Sequence, residues 1–150
     1  MKLILCANDR QIPGFKHHDV KAMPGIDYAC DLFDIGEHIK PSSCEEIQFT
    51  HALEHFPTAD TQKVLALIKG LLKEGGKLYV EVPNFEWHAE LVSKGRDRDA
   101  VYYAFGGQLD EWDFHKTGFT PNILHEELAK AGFKEINIQP ASSISATAYA

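Results

Sequence analysis

His51 and His55 stand four residues apart with Glu54 between them, in His51-Ala52-Leu53-Glu54-His55. Such side chains can hold a metal, carry a proton or wall a pocket. On a helix, the i and i+4 spacing would put both imidazoles on one face, with Glu54 off it. The pattern is HxxEH rather than the HExxH of zinc hydrolases, and no third ligand stands beside it in sequence, so no metal is expected. His51 is read as a site residue and candidate catalytic group, and His55 as a packing or capping side chain. The other candidate is His115, in Trp112-Asp113-Phe114-His115-Lys116, which follows Gly106-Gly107 in a stretch rich in aromatics. A histidine titrating near ~6.5 can take a proton from an acceptor hydroxyl, and Asp113 could orient it. The alternative is a surface histidine on a loop. His17 and His18 are read as solvent-facing.

The elements that would position these groups alternate between strand and helix. Leu3 to Ala7 is a short apolar run, as in a strand covered on both faces. Phe15 to Val20 predicts a second strand carrying Asp19, and Ile26 to Leu32 a third carrying Asp27 and Asp31. Glu45 to Thr50 predicts a fourth. Val64, Leu65, Leu67, Ile68, Leu71 and Leu72 then recur at helical spacing, with Thr58 or Asp60 as cap and Gly75-Gly76 as stop. Lys77 to Val82 alternates as a strand ended by Pro83. Short helices are predicted over 86–93 and 100–105. Thr120-Pro121 begins a helix through Ala131, and 133–139 and 144–149 predict two closing strands. The alternation implies a parallel sheet. About eight residues between the first two strands are too few for a helical crossover, so that connection is an irregular loop or the second strand is misplaced.

Bulk properties narrow the classes. The 150 residues suit one domain, 1–150, with 44% hydrophobic and 25% charged residues. A net charge of −7, from 22 acidic and 15 basic residues, argues against a nucleic-acid partner, which needs clustered Lys and Arg. Cys6, Cys30 and Cys44 form no CxxC pair, which points to buried thiols of a reducing compartment rather than disulfides or zinc. The apolar stretch Met1 to Cys6 is too short for a signal or membrane segment, so a cytoplasmic protein is expected.

The order of motifs is similar to one family. His51-Ala52-Leu53-Glu54-His55 followed by Leu71-Leu72-Lys73-Glu74-Gly75-Gly76-Lys77-Leu78-Tyr79-Val80 resembles class I S-adenosylmethionine (SAM)-dependent methyltransferases. The closest group is small, type 11-like predicted methyltransferases read beside glycan-synthesis proteins. Pro13-Gly14-Phe15, Asp19, Gly106-Gly107-Gln108, Asp113-Phe114-His115, Gly118-Phe119 and Ala131-Gly132-Phe133 extend the likeness over nearly the whole chain. The resemblance implies a Rossmann-like α/β sheet in order 3-2-1-4-5-7-6, its last strand antiparallel, with a minimal N-terminal part that leaves room for a partner protein or second subunit. Ligands of such sheets bind beyond the strand ends where the order reverses, between strands one and four.

The family normally places a glycine-rich turn after strand one, whereas Cys6-Ala7-Asn8-Asp9-Arg10 has no glycine before Gly14. Small Cys6 and Ala7, and an Asn8 that tolerates left-handed backbone, would have to serve instead. Asp19 matches the acid that receives the ribose hydroxyls, with a turn-capping role as alternative. Asp31 and Leu32 match the acidic-apolar pair at the adenine, and Asp27 is a weaker rival. The implied cofactor set is Cys6, Ala7, Asn8, Asp19, Asp31, Leu32, Thr50 and His51, with His115 and His51 as catalytic candidates. The implied activity is SAM-dependent methyl transfer to a small-molecule or glycan acceptor. The alternative is a non-catalytic binding or scaffold protein of the same fold.

Overall fold

A computed structural model describes all 150 residues. Seven strands form one sheet: β1 (Lys2–Leu5), β2 (Lys16–Asp19), β3 (Tyr28–Ala29), β4 (Cys44–Thr50), β5 (Leu72–Pro83), β6 (Lys134–Pro140) and β7 (Ser143–Tyr149). Their spatial order is β3-β2-β1-β4-β5-β7-β6, as the resemblance implied. The first five strands in that order run parallel, and β7 is antiparallel to both β5 and β6. There are four helices, α1 (Thr61–Leu71), α2 (Phe85–Ser93), α3 (Asp97–Phe105) and α4 (Pro121–Lys130), of which α1 and α4 pack on the sheet while α2 and α3 pack on each other. Short 3-10 turns occupy Leu32–Glu37, Leu53–His55 and Thr58–Asp60.

The core follows from the sequence pattern. Leu3, Leu5, Ile47, Phe49, Leu78, Val80 and Val82 of the central strands are at most 1% exposed, and they recur at every second position, so one face of the sheet carries the main core. From α1, Val64, Leu65, Ile68 and Leu71 are buried against them. Each such side chain contributes about 1.5–3 kcal/mol as an upper estimate. At α4 the Thr120 side chain accepts from the Ile123 N–H, with Pro121 at the first helical position, as predicted.

One open alternative is decided and three local expectations are corrected. The β1–β2 connection is an irregular loop without a helix, so the second strand stands where it was placed. The third strand shrinks to two residues, because Asp31 caps a 3-10 turn that begins at Leu32. Asp27 therefore lies before the strand; it pairs with Lys16 and accepts from the His17 N–H at 2.9 Å. Gly75-Gly76 does not stop α1, which ends at Leu71. The pair lies inside β5, where the register against β4 shifts between Cys44 and Glu46. Gly75 has φ +69, and a side chain at Gly76 would press on the Lys73 and Cys44 carbonyl oxygens at 2.9 and 3.1 Å. Glycine is required at 75 by the left-handed φ and at 76 by the close approach of backbone oxygens, where the strand leaves its register.

Candidate functional site

The loop after β1 makes its turn without glycine. Cys6 and Asn8 both adopt left-handed backbone, with φ +53 and +50. Each such non-glycine residue costs on the order of 1–3 kcal/mol and persists only where its surroundings hold it. The holders are on β2. His18 Nδ1 accepts from the Cys6 N–H at 3.3 Å, the His18 carbonyl accepts from the Ala7 N–H at 2.8 Å, and Asp19 Oδ2 accepts from the Asn8 N–H at 2.9 Å. His51, across the mouth after β4, is likewise left-handed at φ +49, with its N–H on the Glu81 carbonyl at 2.8 Å. These three strained residues all border one cleft of about 550 Å³ at the carboxyl ends of β1, β2 and β4. Strain that gathers around a cleft of ligand size marks a functional site.

Of the predicted cofactor set, Cys6, Asn8, Asp19, Asp31, Leu32 and His51 line this cleft. Ala7 and Thr50 do not: Ala7 is buried beneath the loop, and Thr50 Oγ1 accepts from Arg10 at 2.7 Å. Asp19 is 8% exposed, and its Oδ1 accepts from the Lys21 N–H at 2.9 Å, so it caps a turn as well as holding Asn8. Asp31 uses Oδ1 to cap the Phe33 N–H at 2.9 Å. Burial, and the nearby Asp19, Asp31 and Glu54, push the Cys6 thiol far up, so it remains a neutral thiol.

Two histidines depart from their expected places. His18 is fully buried rather than solvent-facing, and His17 is nearly so. His18 Nε2 faces the Cys30 carbonyl at 3.0 Å, which fixes its proton there and leaves Nδ1 to accept from Cys6. Burial holds its pKa below the ordinary 6.5. Protonating Nδ1 would break the bond that keeps Cys6 turned. As pH falls below 6.5, the unfolded chain takes up this proton before the folded one, so stability is lost toward the lower folded value. Wild-type protein is therefore expected to lose more stability between pH 7 and pH 5 than His18→Asn, read by urea denaturation at each pH. Equal losses would remove His18 as the cause.

His51 and His55 do not share a helical face, because His51 lies outside the Leu53–His55 turn. His51 Nδ1 is 3.5 Å from Glu54 Oε1 and its Nε2 is 3.4 Å from Glu81 Oε1. Glu54, then Glu81, raise its pKa above 6.5 against the opposing effect of burial.

His115 is brought to the β4 segment by the chain that follows it. The Lys116 and Thr117 N–H groups donate to the Glu54 carbonyl at 2.7 and 3.1 Å, and Thr117 Oγ1 donates to the Phe56 carbonyl at 2.8 Å. The His55 and His115 rings meet edge to face at 4.9 Å. His115 stands behind His55 and does not line the cleft. Its orienting partner is the Tyr103 carbonyl, 3.0 Å from Nδ1, rather than Asp113, whose Oδ2 accepts from the Leu109 N–H at 3.1 Å. The loop carrying these residues turns at Gly106, φ +79, where a Cβ would collide with the Asp113 carbonyl oxygen. Leu109, Asp110, Trp112 and Asp113 from this loop close one side of the cleft, and Asp110 pairs with Lys21 on the other.

No family model and no curated protein sequence matches the chain. Solved structures do. A SAM-dependent methyltransferase from Archaeoglobus fulgidus superposes with a TM-score of 0.70 at 12% identity, covering 99% of this chain and 85% of that one. The fold is that of the SAM-dependent methyltransferases. The Burkholderia thailandensis 1,6-didemethyltoxoflavin-N1-methyltransferase, solved with 1,6-didemethyltoxoflavin and S-adenosylhomocysteine, gives 0.63 at 15% identity, over 99% and 70%. Human N-acetylserotonin methyltransferase in complex with SAM gives 0.59 at 16% identity, over 99% of this chain and 47% of that one. This chain thus spans less than half of the human enzyme. No helix is long and apolar enough to cross a membrane.

Sequence reasoning missed His18, Phe33 and Phe56 as site or support residues. For His18 a signal existed: a strand in the middle of a 3-2-1 order is covered on both faces, whatever its residue types.

Proposed function

We propose that the chain is a SAM-dependent methyltransferase acting on a hydroxyl of a small-molecule or glycan-type acceptor. The observation that carries this reading is the cleft at the β1–β4 reversal, with its strained Cys6–Asn8 turn held by Asp19 and its acidic-apolar Asp31-Leu32 wall. Its volume of about 550 Å³ and its carboxylates fit a nucleoside with a cationic sulfonium arm. Asp19 and Asp31 keep oxygen lone pairs for the ribose hydroxyls and the adenine amino group, and Leu32 with Phe33 covers the base. Backbone of Cys6 and Asn8 approaches the methionine arm, and His51 borders the same cleft. When bound, the cofactor supplies a methyl group already activated on sulfur, so the chain's task is orientation and exclusion of water.

The acceptor enters beside His55 and the 106–116 loop. Each imidazole of the His55–His115 pair has an uncommitted Nε2, because Nδ1 is turned to a carbonyl at 3.2 Å (Phe114) or 3.0 Å (Tyr103). Those nitrogens are where the hydroxyl proton can go as the oxygen attacks. His115→Ala is expected to cut turnover by about 100-fold, typical of a lost acid-base group, with S-adenosylhomocysteine affinity nearly unchanged. Tritiated methyl transfer to a panel of sugars and phenols, beside calorimetric titration, reads both quantities. Undiminished turnover in the variant would remove His115 from the reaction. The acidic balance leaves nucleic acid outside the acceptor classes, and the exposed aromatics of the 102–114 stretch leave room for an oligomer or partner protein.

A further inference from the structure

Three hydrogen-bond acceptors converge beside this cleft with no donor among them. Glu54 is 1% exposed, and neither carboxylate oxygen accepts a hydrogen bond. His51 Nδ1 is 3.5 Å from Oε1, a long ion-pair contact that leaves Oε2 with no partner. One ligand atom each from Glu54, His55 and His115 lies within 4.8 Å of the others. Because the Phe114 and Tyr103 carbonyls can only accept, the Nδ1 of each histidine carries the proton and each Nε2 keeps its lone pair. An ionised carboxylate is costly to bury unless a cation meets it. Histidines that ligate metals typically donate their second ring N–H to a backbone carbonyl, which fixes the ring, and both do so here.

We propose that Glu54, His55 and His115 bind a divalent transition-metal ion of the zinc or cobalt class. Two imidazoles and one carboxylate suit such ions better than magnesium or calcium, which prefer oxygen ligands. The expectation of no metal rested on the missing third ligand. His115 supplies it from sixty residues on, held in place by the Lys116 and Thr117 bonds to the Glu54 carbonyl. The ion joins the 106–116 loop to the β4 end. Three protein ligands leave a coordination position for another group, as in catalytic zinc sites. Since His55 also borders the cleft, that position serves the acceptor oxygen. With the ion bound, both Nε2 atoms are ligands and cannot take the hydroxyl proton, as they could in the metal-free chain. The O–H bond then breaks with its proton passing to water, and the oxygen's electron pair forms the O–CH3 bond as the C–S bond breaks. That role rests on the methyl-transfer reading, whereas the binding of the ion does not.

The test is titration of the chelator-treated full chain with Co2+, followed by its visible absorption, and with Zn2+ by calorimetry. One ion per chain is expected. Glu54→Gln, His55→Ala and His115→Ala should each weaken it by more than about 100-fold, beyond the usual cost of losing an outer partner. His125→Ala, on the exposed face of α4, should leave it unchanged. Absence of saturable binding, or binding that survives in the folded Glu54 and His115 variants, overturns the proposal. If Glu54→Gln does not fold, the half-buried His55 and His115 positions decide it. S-adenosylhomocysteine titrated in parallel separates the two ideas: metal bound without nucleoside counts against methyl transfer and leaves the metal site standing.

Discussion

Replacing Asp19 by alanine is expected to weaken S-adenosylhomocysteine binding by at least about 100-fold, equal to ~2.7 kcal/mol. The carboxylate does two things at once. It lines the cleft where the ribose would lie, and it holds the left-handed Asn8 by a 2.9 Å bond to its N–H. Alanine removes both, so the strained turn relaxes and the cleft loses its shape along with its acceptor. Asp19→Asn keeps one acceptor oxygen and should lose less. Isothermal calorimetry on folded variants reads the difference, and unchanged affinity in Asp19→Ala would remove Asp19 from the site.

Phe49→Ala is expected to cost about 3–5 kcal/mol of stability, a large share of the ~5–15 kcal/mol a domain possesses. Phe49 is fully buried in β4, paired to Leu5 on one side and Val80 on the other. Its ring lies 6.3 Å from Phe56, which meets Phe33 edge to face at 6.0 Å. Phe56 and Phe33 line the cleft, so the aromatic chain runs from core to wall. The truncation should therefore lower both the urea midpoint and nucleoside affinity. A loss below about 1 kcal/mol would contradict the packing described.

Elements whose signals are local were legible in the chain. The apolar spacing of α1, the alternation of β5 and the Thr120-Pro121 start of α4 were read from the residues, and the sheet order followed from the family resemblance that the motifs carry. What stayed hidden depends on contacts between distant segments. Gly75-Gly76 has the chemistry of a helix stop, and only the pairing of β5 with its neighbours places it inside a strand, at a break in register. His18 looks polar and therefore exposed; its place between β1 and β3 buries it, and two hydrogen bonds make that tolerable. The Cys6–Arg10 stretch looks unfit for a tight cofactor turn because glycine is missing. The support from His18 and Asp19 comes from a neighbouring strand and has no counterpart within the loop. Glu54 and His115 share a site because the chain after His115 is hydrogen-bonded to the Glu54 backbone, which no spacing rule anticipates.

The central claim is that this cleft holds the nucleoside cofactor despite its glycine-free turn. Thermal unfolding of the wild-type chain with and without S-adenosylhomocysteine tests it most directly. At about 100 times its dissociation constant the ligand should add ~2.7 kcal/mol of stability, raising Tm by roughly 5–10 °C for a domain of this size. An unchanged Tm at millimolar ligand would contradict the claim and leave a methyltransferase fold without its cofactor.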